Sequence, residues 1–181
     1  PETGAPLAIM EGNLISAMRT GASVGLGARY LAPKNGRMAG VIAAGPISRT
    51  CLMALAAGMP SLEEVKVFDL NQEKAKTFCQ EMSTELNMRV YPVDSLQEAI
   101  KDADAVSTAA SGSTPPKFEA DWFKPGAFFA LSSPSSLNEN LWRNSRLVAD
   151  NWQMHVAWRK EITTHDPQDN VPIHGELHTL I

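Results

Sequence analysis

The stretch from Met38 to Asp69 constrains the fold of this chain more than any other. Met38-Ala39-Gly40-Val41-Ile42-Ala43-Ala44 reads as a short buried strand broken at Gly45-Pro46. Ile47, Cys51, Ala54, Leu55 and Gly58 then recur at helical spacing, and Glu64-Val65-Lys66-Val67-Phe68-Asp69 reads as a second strand closed by an acid. Strand, tight turn, helix, strand and acid is the order of a nucleotide-binding βαβ unit. In such a unit the amide N–H groups at the helix N-terminus face a pyrophosphate, and the carboxylate accepts hydrogen bonds from an adenosine ribose. Gly45, Pro46 and Ile47 are thus the candidate pyrophosphate residues and Asp69 the candidate ribose ligand. A carboxylate at that place favours NAD over NADP, because a 2′-phosphate would meet a like charge.

The glycine fingerprint is degenerate. Where the pattern has Gly-x-Gly-x-x-Gly or Ala, the chain has Ala43-Ala44-Gly45-Pro46-Ile47-Ser48, which keeps only the middle glycine, the one that lets backbone approach phosphate. Alanine and serine are small enough for the outer positions, and Pro46 suits the first helical turn, whose N–H groups lack intrahelical partners. The alternative is a doubly wound domain that has lost its nucleotide.

Strands continue to alternate with helices on both sides of this unit. Pro6 to Met10 reads as a strand, and Leu14, Ile15, Met18, Ala22 and Leu26 predict a helix over 13–30 with those residues as its apolar stripe. Asn71 opens a helix with Ala75, Phe78, Cys79, Met82 and Leu86 on one face, followed by a third strand over 88–93. Ser95-Leu96-Gln97-Glu98 is a capping box before a short helix, and 104–109 is a fourth strand. Phe118 to Phe123 reads as a short helical or turn segment and 127–131 as a fifth strand. Ser136-Leu137-Asn138-Glu139 is a second capping box, and 146–149 a sixth strand. The expectation is a Rossmann-like, doubly wound α/β fold with a mainly parallel sheet. The fourth strand runs into Ser111-Gly112-Ser113-Thr114-Pro115-Pro116. Carboxyl ends of strands face the ligand crevice in such sheets, so Ser107, Thr108 and Ser111 are candidates for the nicotinamide half, with an ordinary loop as the alternative.

Composition narrows the partners. The chain has 181 residues, enough for one domain and a piece of a second, and 44% hydrophobic with 20% charged residues is an ordinary globular balance. A net charge of −4 gives no electrostatic footprint for nucleic acid or an anionic membrane. No apolar run approaches the ~18 residues that span a bilayer, and no signal peptide is recognisable. Cys51 and Cys79 both fall on apolar helical stripes, which suits reduced thiols and a cytoplasmic setting. A small-molecule partner is expected. The chain starts at Pro1-Glu2-Thr3-Gly4 without an initiator methionine and stops in an apolar pattern at Leu180-Ile181, so it reads as cut at both ends.

Several landmarks together resemble the ornithine cyclodeaminase/mu-crystallin family. They are Thr3-Gly4-Ala5-Pro6-Leu7-Ala8-Ile9-Met10-Glu11-Gly12, Ile15-Ser16-Ala17-Met18-Arg19-Thr20-Gly21-Ala22, the degenerate fingerprint, Val67-Phe68-Asp69 and His174-Gly175-Glu176-Leu177. The resemblance implies an NAD-binding Rossmann domain over 31–152. It also implies remnants of a second, dimerisation and substrate domain at both ends, 1–30 and a helical segment at 153–181. Roughly a hundred residues of that second domain would precede this segment in the family. It further implies a homodimer when complete, with Arg19 gripping the substrate α-carboxylate beside the nicotinamide, Thr20 offering a hydroxyl to the cofactor, Pro46 and Ile47 over the pyrophosphate, and Asp69 on the ribose. A guanidinium fork suits a planar carboxylate, which agrees with the role of Arg19.

One departure bears on the reaction. Deaminating members of the family carry an aspartate in the loop after the fifth strand, and here that loop is Ser132-Ser133-Pro134-Ser135-Ser136. A serine hydroxyl does not replace a carboxylate as general base without a partner. No catalytic base is assigned. The implied activity is that of an NAD(H)-dependent oxidoreductase acting on the C–N bond of an amino or imino acid. A cyclodeaminase-type lyase with a base from elsewhere and a non-catalytic nucleotide-binding or scaffold homologue are the alternatives. His174 and His178 would share a helix face, but Gly175 stands where a metalloprotease helix needs Glu, so no metal ligands are assigned. Trp122, Trp142, Trp152 and Trp158 read as core and interface anchors.

Overall fold

The computed structural model describes residues 4–112, 114–154 and 173–180. Apolar, β-branched segments form the centre of a five-stranded parallel sheet: β1 (Met38–Ile42), β2 (Glu64–Phe68), β3 (Arg89–Pro92), β4 (Ala105–Thr108) and a fifth strand at Phe128–Leu131. The order is β3-β2-β1-β4 followed by that fifth strand, so the chain reverses direction across the sheet between β1 and β4. That reversal is the switch point at which doubly wound sheets open a crevice above the strand ends. Helices α1 (Asn13–Leu31), α2 (Pro46–Gly58), α3 (Gln72–Leu86) and α4 (Leu96–Ile100) cover the sheet.

One core cluster, built on Leu52, Leu55, Val65, Val67 and Met82, lies between the sheet and α1, α2 and α3. A second, with Ile100, Val106 and Phe118, lies under α4. Gly40 is required by this second layer, because a Cβ there would sit 2.2 Å from the Ala99 carbonyl oxygen of α4. At the amino edge Asp104 fastens three strands. It accepts from Arg37 N–H (2.8 Å) and Met38 N–H (3.1 Å) and pairs with the Lys124 ammonium. Burial raises the pKa of Asp104, but these hydrogen bonds outweigh it and hold the carboxyl below its ordinary range.

The helix over 13–30 forms, but its buried face is not the expected one. Leu14, Ile15 and Met18 are exposed, and Ala17, Gly21, Val24, Gly25 and Ala28 are buried instead. The reason is backbone proximity. Added Cβ atoms would stand 2.6 Å from the Thr50 carbonyl oxygen at Gly21, 2.7 Å from that of Ala54 at Gly25, and 2.5 Å from that of Gly25 at Gly58. These contacts advance together along both helices, so α1 and α2 run side by side in the same direction, with small residues at i, i+4 spacing filling each other's grooves. In α2, Ile47 of the expected apolar stripe is likewise exposed, and Ser48 and Leu52 are buried.

Other expectations are corrected. Residues 6–10 are irregular and exposed, since no strand among the described residues pairs with them. The segment 118–123 divides into Lys117–Phe118, which pairs in parallel with Ser136–Leu137, and a 3-10 turn at Ala120–Trp122. Ser136 is in that strand, so the following helix, Glu139–Arg143, is capped by Asn138, whose side chain accepts from Asn140 N–H. The sixth strand, Leu147–Ala149, pairs with Ile173–Glu176 in a sheet of its own and does not extend the main one. His174 therefore lies on a strand and His178 on the 3-10 turn Leu177–Leu180, which removes the helical spacing between them and replaces the helical end expected for the described part of 153–181. Trp158 lies outside the described residues. Cys51 and Cys79 are buried free thiols, and Trp142 is buried. Among the described residues no helix is long and apolar enough to cross a membrane.

Candidate functional site

The crevice begins where β1 turns into α2. Ala43 N–H donates to Phe68 O at 2.8 Å, so β1 stays fastened to β2 through the first residue of the turn. Ala43 has φ +78°, in the left-handed region that favours glycine, and it stands where the fingerprint has its first glycine. The turn thus keeps the fingerprint's geometry, at a cost of about 1–2 kcal/mol for a residue bearing a Cβ.

Gly45 is extended (φ −101°, ψ 177°) and precedes α2 without capping it through a side chain. A Cβ built on it meets nothing within 4 Å, so space is open directly over the turn. Pro46 occupies the first helical turn, and the helical ladder starts with Arg49 N–H to Gly45 O at 3.1 Å. The N–H groups of Ile47 and Ser48 are left at the positive end of the helix, and no acidic side chain sits in the first turn. Ser48 takes the third fingerprint position and is buried, with its hydroxyl unpartnered among the described residues.

Asp69 is held across from this turn. Its Oδ2 accepts from Ala44 N–H and its Oδ1 from Asn71 N–H, both at 2.8 Å. Lys74 places its ammonium 3.8 Å from Oδ2. The Asp69 side chain is 12% exposed. A carboxylate offers about four lone-pair sites, so acceptor capacity remains for a diol after both backbone bonds are made. Asn71 in turn caps α3 by accepting Lys74 N–H at 3.0 Å.

The α1 candidates, Arg19 and Thr20, follow the residue at which α1 is fastened to α2. Thr50 Oγ1, in the second turn of α2, donates to Ala17 O at 2.7 Å, which brings the first half of α1 alongside the start of α2. Arg19 is exposed, on the face of α1 turned away from the buried Ala17 and Gly21, and forms no ion pair among the described residues, whereas the Thr20 hydroxyl donates to Ser16 O at 2.9 Å. On the other side of the switch point Ser107 and Thr108 are buried at 1% and 0%, beneath the crevice surface, while Ser111 is exposed. Thr108 Oγ1 lies 3.4 Å from Ser133 Oγ, and the Cys51 thiol is raised by burial against opposing hydrogen bonds from the Ser107 and Ser132 hydroxyls. The loop after Phe128–Leu131 carries hydroxyls and no carboxylate. The sequence placed Asn71 at the helix start, and the structure confirms it as the cap, but Lys74 was not singled out beside Asp69. The available signal was an Asn three residues before Lys74 at a helix start, the spacing of an N-cap.

A sequence model of the ornithine cyclodeaminase/mu-crystallin family matches residues 1–168. A Δ1-pyrroline-2-carboxylate reductase of Bacillus cereus is 33% identical over 114 residues, 63% of this chain and 35% of the relative. An N-((2S)-2-amino-2-carboxyethyl)-L-glutamate dehydrogenase of Staphylococcus aureus is 27% identical over 188 residues, 100% of this chain and 55% of the relative. The solved Δ1-pyrroline-2-carboxylate reductase of Thermococcus litoralis, in complex with NADH and L-proline, superposes with a TM-score of 0.78 at 32% identity. That match covers 98% of this chain and 57% of the other. Where nearly the whole chain is aligned, it spans about half the length of these relatives, 55% and 57%. With the fingerprint turn, the acid closing β2 and a family match over nearly its whole length, this chain belongs to the ornithine cyclodeaminase/mu-crystallin family.

Proposed function

We propose that this chain supplies the NAD-binding half of an oxidoreductase acting on the C–N bond of an amino or imino acid. The observation that carries this reading is the junction of the open turn at Gly45 with the Asp69 carboxylate 2.8 Å from Ala44 N–H. Pyrophosphate oxygens fit the free N–H groups at the start of α2, where a protein carboxylate would otherwise be expected to satisfy the helix end. Asp69 retains acceptors for ribose hydroxyls. The bound nicotinamide supplies or accepts hydride at the carbon bearing nitrogen. The task of the protein is to bind and orient. Arg19, exposed and without a carboxylate partner among the described residues, is suited to grip a substrate carboxylate in a bidentate fork. Relatives that reduce pyrroline-2-carboxylate, and one whose complex holds NADH and L-proline, support the substrate class.

The hydroxyl-only loop after Phe128–Leu131 favours redox chemistry over cyclodeamination, because it offers no general base for amino-group proton transfers. Exposed Leu14, Ile15 and Met18 on α1 suit cover by the substrate and dimerisation domain of a homodimer, and two buried free thiols suit the cytoplasm. Full-length protein titrated with NADH, then assayed for NADH consumption with Δ1-pyrroline-2-carboxylate and for ammonia release from ornithine, tests the reading. Saturable NADH binding with imine-dependent oxidation is expected. Ammonia release without net NADH turnover would assign the lyase instead, and absence of nucleotide binding would leave a scaffold.

A further inference from the structure

We propose that Lys74 is a specificity-determining residue of the adenosine end. It is a counter-charge held beside Asp69 that would contact a 2′-phosphate, so that the choice between NADH and NADPH depends on the Asp69–Lys74 pair rather than on the acid alone. The inference rests on the dinucleotide reading above and extends it to the second cofactor.

The geometry is a closed ring of three residues. Asp69 Oδ1 accepts from Asn71 N–H at 2.8 Å, Asn71 Oδ1 accepts from Lys74 N–H at 3.0 Å, and the Lys74 ammonium returns to within 3.8 Å of Asp69 Oδ2. The ring fixes the first turn of α3 against the end of β2, so the Lys74 stem starts from a defined place. Its charge is not consumed by its neighbours on the helix: Glu73 pairs with Lys76 at 2.7 Å, and Asp69 is the one carboxylate within ion-pair distance of Lys74 among the described residues. The two partners differ in freedom. The Asp69 side chain is 12% exposed and anchored by two backbone amides, while that of Lys74 is 52% exposed and makes only the long contact at 3.8 Å. An anion arriving beside Asp69 would therefore be repelled by a fixed carboxylate and met by a movable ammonium on its solvent side. With a plain ribose diol, Asp69 accepts the hydroxyls and Lys74 has little to do. With a 2′-phosphate, Lys74 offsets part of the repulsion, and it becomes the principal cation once the acid is neutralised.

The test is a double-mutant cycle on the full-length protein. NADH and NADPH dissociation constants are measured by fluorescence titration for the wild type, Asp69→Asn, Lys74→Gln and the double variant, with 5′-ADP and 2′,5′-ADP as probes of the adenosine end alone. Lys74→Gln is expected to weaken NADPH by about three- to fivefold and NADH by less than about twofold, the scale of one exposed charge pair. Asp69→Asn is expected to shift preference toward NADPH by about tenfold, and the double variant to lose about three- to fivefold of that shift. An unchanged NADPH-to-NADH ratio on Lys74→Gln in both backgrounds would overturn the proposal. If instead wild-type protein binds neither nucleotide, the cofactor reading itself fails, which is a different result. Lys74 is exposed, so its substitution leaves the core intact and the measurement interpretable.

Discussion

Ala44 N–H donates to Asp69 Oδ2 at 2.8 Å, which joins the turn after β1 to the acid that ends β2. One carboxylate thus serves the fold and, on the proposed reading, also the ribose. Asp69→Ala is expected to leave the N–H groups of Ala44 and Asn71 without their acceptor and to lower stability by about 1–3 kcal/mol. NADH affinity should fall at least about tenfold, with NADPH affected less. Urea unfolding alongside nucleotide titration separates the two effects, and equal loss for both cofactors would remove the ribose assignment.

Ala43 holds φ +78° at the place of the first fingerprint glycine. Ala43→Gly should relieve the left-handed penalty and give back part of it as unfolded-state entropy, a net gain of about 0.5–1 kcal/mol. A rise in thermal midpoint with NADH affinity unchanged or improved is the expected outcome. A fall would mean that the Ala43 methyl makes a contact worth more than the strain.

Gly25→Ala discriminates between two effects of opposite sign. In an ordinary exposed helix the change would stabilise by about 1 kcal/mol. Here the new Cβ would stand 2.7 Å from Ala54 O, and overpacking should win, with a loss of about 2 kcal/mol. Because α1 also carries Arg19, the same variant should raise the substrate KM. Denaturation midpoints decide the first point and steady-state kinetics the second.

Arg19→Ala is expected to raise the KM for the carboxylate-bearing substrate by about a hundredfold, with NADH affinity changed far less. Arg19→Lys should recover only part of the loss, because an ammonium is a point charge without the planar fork. An unchanged KM would mean that the carboxylate is held elsewhere.

Burial pushes the Cys79 thiol from 9.0 up to about 12. The folded protein then binds a proton that the unfolded chain releases, so the contribution of this residue is complete below pH 9.0 and is lost as pH rises toward about 12. Stability measured from pH 8 to pH 11 by urea unfolding should decline less steeply in Cys79→Ala than in wild type. Equal slopes would mean that the thiol titrates normally.

Much of the main sheet was legible in the chain because its signals are local. Val41, Val65, Val67 and Val106 are apolar whatever packs against them, Gly45-Pro46 punctuates the backbone by its own φ restriction, and Asp69 follows a strand by two-residue periodicity. The packing face of α1 was not legible by hydrophobicity. Leu14, Ile15 and Met18 score as core, yet backbone contact with α2 admits only Ala17, Gly21 and Gly25. The strand at Leu147–Ala149 was recognised as a strand, but its local pattern could not say that its partner would be Ile173–Glu176.

The sequence by itself determined the βαβ order, the acid at position 69 and the lack of a carboxylate in the loop over 132–136, since residue type and spacing along the chain carry that information. Only the tertiary structure decided that Asp69 is anchored to Ala44, that Lys74 returns to that acid through Asn71, and that Thr50 fastens α2 to α1 at Ala17. Those relations depend on distances between segments brought together by strand pairing and helix contact, and no local preference of the chain encodes them.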